Sequence, residues 1–151
     1  MSIPHKLNSH HTAFDSVRSP ESFVNARLRK HADYQRVYAA SRKRQSPSMS
    51  WFLAPQSETL PGRIQGPRVG LTAGKVLGKA HERNRIKRRM REILRRHLQL
   101  LPSGFDLILH PRRSVLTVEF SKLEAEIVRI LGQANAEAAR SAQSALPRPT
   151  V

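Results

Sequence analysis

Apolar residues recur at steps of three and four through 83-RNRIKRRMREILRRH-97, where Ile86, Met90, Ile93 and Leu94 mark one face of an α-helix. His97 and Leu101 continue that stripe, so the spacing predicts a helix from about Ala80 to Leu101, broken by Pro102, Ser103 and Gly104. Upstream, 31-HADYQRVYAAS-41 sets Tyr34, Val37 and Tyr38 on one helical face. The next segment, 48-SMSWFLA-54, changes period. Met49, Trp51 and Leu53 point one way and Ser50, Phe52 and Ala54 the other, as in a strand, with Trp51 assigned to the core. Short strands are predicted over 68-RVGLTA-73 and 105-FDLILH-110, the latter ended by Pro111. A second amphipathic helix follows over 119–140, through Phe120, Leu123, Ile127, Val128, Ile130 and Leu131.

Between these elements, 55-PQSETLPGRIQGP-67 carries three prolines and two glycines and reads as a loop. Gly74 and Gly78 frame a turn holding Lys75 and Lys79. Residues 1–25 are polar and aperiodic, an expected disordered arm, and 139–151 an expected disordered tail, leaving a domain at 26–138. Strands alternate with helices, and a strand–helix–strand unit spans about 68–110. That is an α/β pattern, with no internal repeat.

Lys and Arg number 27 against 11 Asp and Glu, a formal net charge of +16, so the folded chain repels itself unless an anion binds it. Nucleic acid is the expected partner. The predicted basic helix presents Arg85, Arg88, Arg91, Arg95 and Arg96 opposite its apolar stripe, with Glu92 as the one acid among them. Seven arginines to one lysine in that run favour bidentate phosphate contacts. A membrane-surface helix fits poorly, because the apolar stripe is needed for the core.

Other chemistry is sparse. With no cysteine, disulfides, thiolate zinc sites and a cysteine nucleophile are excluded. Asp33, Glu82, Glu92 and Asp106 are scattered rather than clustered as a two-metal nuclease needs, so neither catalytic nor metal-binding residues are expected in the protein. No apolar run reaches the roughly 18 residues of a membrane span, and a cytoplasmic protein is expected.

The stretch 68-RVGLTAGKVLGKAHERNRIKRRMRE-92 resembles the bacterial ribonuclease P protein component, whose pattern runs RVGLS-x-x-K-x-x-G-x-A-V-x-RN-x-x-KR. Arg68, Val69, Gly70, Leu71, Lys75, Gly78, Ala80, Arg83, Asn84, Arg85, Lys87 and Arg88 match it in register. Upstream, 28-LRKHADYQRVY-38 is similar to the family's first helix with its aromatic pair, and 104-GFDLILHPR-112 to its later strand. Three positions depart: Gly74 stands for the usual serine or alanine, Val76 for a second lysine, and His81 for an apolar residue.

The resemblance implies an α/β (α+β) two-layer sandwich, a mixed four-stranded sheet with about three helices and a left-handed βαβ crossover. It implies the protein subunit of the ribonucleoprotein that removes the 5′ leader of precursor tRNA. Catalysis and Mg2+ would belong to the RNA subunit, with no small-molecule substrate. Lys75, Arg83, Asn84, Arg85, Lys87, Arg88 and Arg91 would hold that RNA subunit. Tyr34, Tyr38 and Phe52 would stack on the single-stranded leader, each stack worth about 1–3 kcal/mol. A basic ribosomal or other RNA-binding protein of related fold is the alternative, and a protein-only nuclease a more distant one.

Overall fold

The computed structural model describes residues 26–56 and 66–145. In chain order come α1 (His31–Ala40), β1 (Arg44–Gln45), β2 (Met49–Pro55), β3 (Arg68–Leu71), α2 (Ala80–Arg96), β4 (Phe105–Pro111) and α3 (Phe120–Ala145), with short 3-10 turns at Lys75–Leu77, Leu98–Leu100 and Arg113–Leu116. The strands form one mixed sheet in the order β1-β2-β4-β3. β2 runs antiparallel to β1 and β4, and β3 parallel to β4. This is the expected α/β sandwich of four strands and three helices.

β4 is central, and its consecutive Leu107, Ile108 and Leu109 are all buried, as a strand covered on both faces requires. Gly104 enters it at φ +80°, backbone that glycine adopts freely. Pro111 is its last residue, opposite Met49.

One sheet face carries Met49, Trp51, Leu53, Leu107 and Leu109 against Ile86, Met90, Ile93 and Leu94 of α2 and Leu123, Ile127, Ile130 and Leu131 of α3. Each of the four α2 side chains is fully buried, and truncating one to alanine would cost about 2–5 kcal/mol. The other face carries Ile108 and Ala54 under Leu28 and Val37, with Tyr34, Tyr38 and Phe52 packed at the margin. The alternation through β2 thus sorts Trp51 to the main core and Phe52 to the face under α1.

β3 ends two residues short of the expected 73, two helix boundaries differ from expectation, and one strand was not foreseen. α2 stops at Arg96, and a 3-10 turn carries the chain to a still-buried Leu101. α3 continues to Ala145, so the domain boundary expected at 138 falls inside this helix. Its alanine-rich end favours helix intrinsically, and Ala134 and Ala138 are buried. β1, two residues long, is too short to show a period; a tight turn tied by Ser46 N–H to the Met49 carbonyl (2.8 Å) sets its register. The expected arm at 1–25 lies outside the described residues, as do 57–65 of the expected loop.

Candidate nucleic-acid interface

α2 docks by its apolar stripe and turns its cations outward, but those cations fall into two groups. Asn84, Arg85 and Arg88 are exposed, while Arg83, Lys87 and Arg91 are half-buried. Among the described residues, no carboxylate forms an ion pair with Arg83, Arg85, Lys87, Arg88 or Arg91. At the C-terminal end the opposite holds. Glu92 pairs with Arg95 and, at 3.2 Å, with Arg96, while Glu124 of α3 takes Arg96 at 3.5 Å and His97 at 2.9 Å. The arginine face expected to run the helix's length is therefore open only over its first three turns. Arg89 is withdrawn altogether. Its guanidinium donates to the Val115 and Val118 carbonyls, both at 2.5 Å, and clamps the turn before α3.

The turn leading into α2 is held by its own acid. Glu82 accepts from the Lys79 backbone N–H at 2.9 Å and from Arg113 at 2.6 Å, and Arg113 also reaches the Leu77 carbonyl at 2.8 Å. The Arg113 hydrogen bond, aided by the Lys79 N–H, draws the Glu82 carboxyl down to about 2. Gly78 passes beneath Arg113 and Glu82 at φ +124°, where no side chain fits. Lys75 is exposed on this turn, and Val76 beside it is 91% exposed. One cation therefore projects where the family pattern has two.

On the sheet's other face the three expected aromatics come together. Tyr34 and Tyr38, one turn apart on α1, have ring centroids 6.4 Å apart, and Tyr38 meets Phe52 edge-on at 5.0 Å. All three are half-exposed, neither sealed in the core nor free in solvent. Tyr34 lies over Gly70, where an added Cβ would come within 2.8 Å of the ring's Cζ, and its hydroxyl donates to the Leu28 carbonyl at 3.2 Å. Burial raises the Tyr34 phenol, against the nearby charge of Arg27, and burial raises Tyr38 too.

Two further residues escape sequence reasoning. His110, on the same face as Ile108, sits 5.5 Å from Tyr38 and 5.2 Å from Phe52, with Nε2 2.8 Å from the Tyr38 hydroxyl. Counting by twos from Asp106 along the strand could have placed it there. Arg27 is exposed along the outer edge of β3, where Ala26 and Leu28 bracket Val69 with backbone hydrogen bonds of 2.7 and 2.9 Å. Burial first, and the charge of Arg27 second, lower the Arg91 pKa, and the same Arg27 charge bears on Tyr34. The basic helix and the aromatic cluster lie on opposite faces of the sheet.

Among the described residues, no three His, Asp or Glu side chains are placed to hold a metal ion, and no helix is long and apolar enough to cross a membrane. The chain is similar to known proteins in both sequence and fold. The Ribonuclease P family model matches residues 24–135. A ribonuclease P protein component from Chloroflexus aggregans is 40% identical over 109 residues, covering 72% of this chain and 76% of that one. Another, from Thermobifida fusca, is 30% identical over 103 residues, covering 67% and 70%. The solved RNase P protein of Thermotoga maritima superposes with a TM-score of 0.60 at 25% identity, over 71% of this chain and 96% of that one. The RNase P protein of Staphylococcus aureus does so with a TM-score of 0.61 at 26% identity, over 72% and 94%. These likenesses favour the ribonuclease P reading over the ribosomal alternative. A match over this length, on a chain whose α2 carries the RN-x-x-KR register, means that the protein belongs to the ribonuclease P protein family.

Proposed function

We propose that this chain holds two RNAs for ribonuclease P: the RNA subunit on α2, and the 5′ leader of precursor tRNA in the cleft beneath α1. Membership in the family makes it a subunit of an endoribonuclease of tRNA processing. Lys75, Arg83, Asn84, Arg85, Lys87, Arg88 and Arg91 are the residues assigned to the RNA subunit. The observation that carries this is the split in α2, whose first three turns present cations without carboxylate partners while its last turn is neutralised. Unpaired guanidiniums at short spacing are matched by phosphates, which displace counterions on binding.

Tyr34, Tyr38 and Phe52 are assigned to the leader. Half-exposed rings stack on bases with little regard for sequence, which suits leaders of varied sequence. The acids are committed to structure. Asp106 serves Arg36 and Arg68, Glu82 serves Arg113, and Glu126 accepts from the Ser48 N–H at 2.7 Å. That supports a division of labour in which Mg2+ and bond cleavage lie with the RNA subunit. A cytoplasmic setting is part of the same proposal; the absence of cysteine is compatible with it.

Sequencing the RNA that co-purifies with the protein tests the reading. One large catalytic RNA is expected; whole ribosomal RNA would overturn it. The RNA-free protein should not cleave precursor tRNA, and cleavage by it would move the catalytic centre into the chain.

A further inference from the structure

The cleft assigned to the leader has a polar member that stacking does not explain. His110 touches Tyr38 edge-on at an interplanar angle of 85°, lies against Phe52, and shares a 2.8 Å hydrogen bond with the Tyr38 hydroxyl. It is half-exposed on the strand face that carries Phe52 and Ile108, so one ring both packs against the aromatic cluster and meets solvent. We propose that His110 contacts the leader directly and takes up a proton when the strand is seated, making leader binding proton-linked. This rests on the assignment of the cleft to the leader.

The groups around the ring fix the sign. α1 contributes the Tyr38 phenol; the segment after α1 contributes the Lys43 ammonium; β2 contributes Phe52 and Ser50, and the residue after β3, the neutral Thr72, donates its N–H to the Leu109 carbonyl next along β4. Both phenols are raised by burial and stay neutral wherever histidine titrates. Burial first, and Lys43 second, hold the free imidazole below the ordinary histidine range. A phosphodiester strand laid across the groove reverses that field, because a nearby negative charge favours imidazolium. The imidazolium then donates from both ring nitrogens, one to the Tyr38 oxygen and one to an acceptor on the strand. A group whose pKa rises on binding strengthens binding as pH falls from its bound-state value to its free-state value. Above that window the contribution is flat.

The test uses the protein reconstituted with its RNA subunit. Affinities for precursor and mature tRNA are measured between about pH 5 and 8, where histidine is the side chain that normally titrates. Wild type should show a precursor-to-mature affinity ratio that climbs several-fold as pH falls, by at most about tenfold per pH unit for one proton. His110→Phe keeps a ring against Phe52 and should hold that ratio flat with pH; His110→Gln checks that a neutral polar group does the same. A melting curve for each variant establishes folding. A flat wild-type ratio, or the same slope in His110→Phe, overturns the inference. Tyr34→Ala separates the two levels. If it lowers the ratio while His110 leaves the slope unchanged, only the proton linkage fails; if it leaves the ratio intact, the cleft assignment falls as well.

Discussion

Arg68 and Asp106 face each other across the parallel β3–β4 pair as a two-pronged ion pair, Nε to Oδ1 and Nη2 to Oδ2 both at 2.8 Å. The Asp106 side chain is fully buried, and Arg36 of α1 closes on the same Oδ2. One carboxylate therefore fixes the edge strand and the cleft helix to the central strand. Removing one partner of a buried pair typically costs about 3–5 kcal/mol, because the remaining charge is stranded. Asp106→Ala should lose stability on that scale in a denaturant melt. A loss below about 1 kcal/mol, the range of solvent-exposed pairs, would show that water screens it.

The split along α2 predicts unequal arginines. Replacing Arg85, Arg88 and Arg91 together by alanine should weaken RNA-subunit binding and flatten its salt dependence by about 0.7–0.9 log units for each phosphate left unneutralised. Replacing Arg95 and Arg96, already paired with Glu92 and Glu124, should leave the salt slope nearly unchanged. Salt titrations of the two variants side by side decide it; equal slopes would remove the distinction.

Gly70 offers a probe of the cleft that alters no aromatic residue. An added Cβ would meet the Tyr34 ring, with Cζ at 2.8 Å and Cε1 at 2.9 Å, and a ring wedged under α1 cannot swing aside as a flexible chain can. Gly70→Ala should cost about 1–3 kcal/mol as an overpacked site. Precursor tRNA binding should weaken while mature tRNA and RNA-subunit binding hold. Unchanged leader discrimination in a destabilised variant would mean that Tyr34 only packs.

Glu82 predicts an acid limb in the stability curve. Its folded pKa of about 2 lies below the ordinary value of 4.5, held there by Arg113 and the Lys79 N–H. Its contribution is fully present above pH 4.5 and is lost as pH falls toward 2. Glu82→Gln should melt lower than wild type at neutral pH and converge with it near the bottom of that window. Parallel curves down to the lowest pH would exclude Glu82 as the source.

Periodic features were legible in the sequence because burial imposes them. Ile86, Met90, Ile93 and Leu94 repeat at helical spacing and all reach the core, and alternation sent Trp51 inward. What depends on distant partners was not. Arg95 and Arg96 read like the other arginines of α2, and it is Glu124, on a helix packed alongside, that helps set Arg96 apart. Asp106 looked like an isolated acid until the sheet brought Arg68 beside it and α1 brought Arg36. His110 closes an aliphatic run and reads as a strand end; the pairing of β2 brings Phe52 to its ring and the docking of α1 brings Tyr38. Residues 139–151 read as a tail, yet the helix that begins at Phe120 continues to Ala145, because an alanine-rich stretch favours helix without needing an apolar stripe.

The uneven neutralisation of α2 has a consequence for the protein without its RNA. The unpaired arginines begin in the first turn of the helix, where the aligned peptide dipoles are already positive, and run through its middle, while the paired ones sit at the negative end. Free chain is thus held in a state of electrostatic tension concentrated at one pole. Added salt should relax it, so the melting temperature of the isolated protein should rise with ionic strength, the reverse of a fold braced by exposed salt bridges. The RNA subunit would then act on the domain as a fixed, structured counterion.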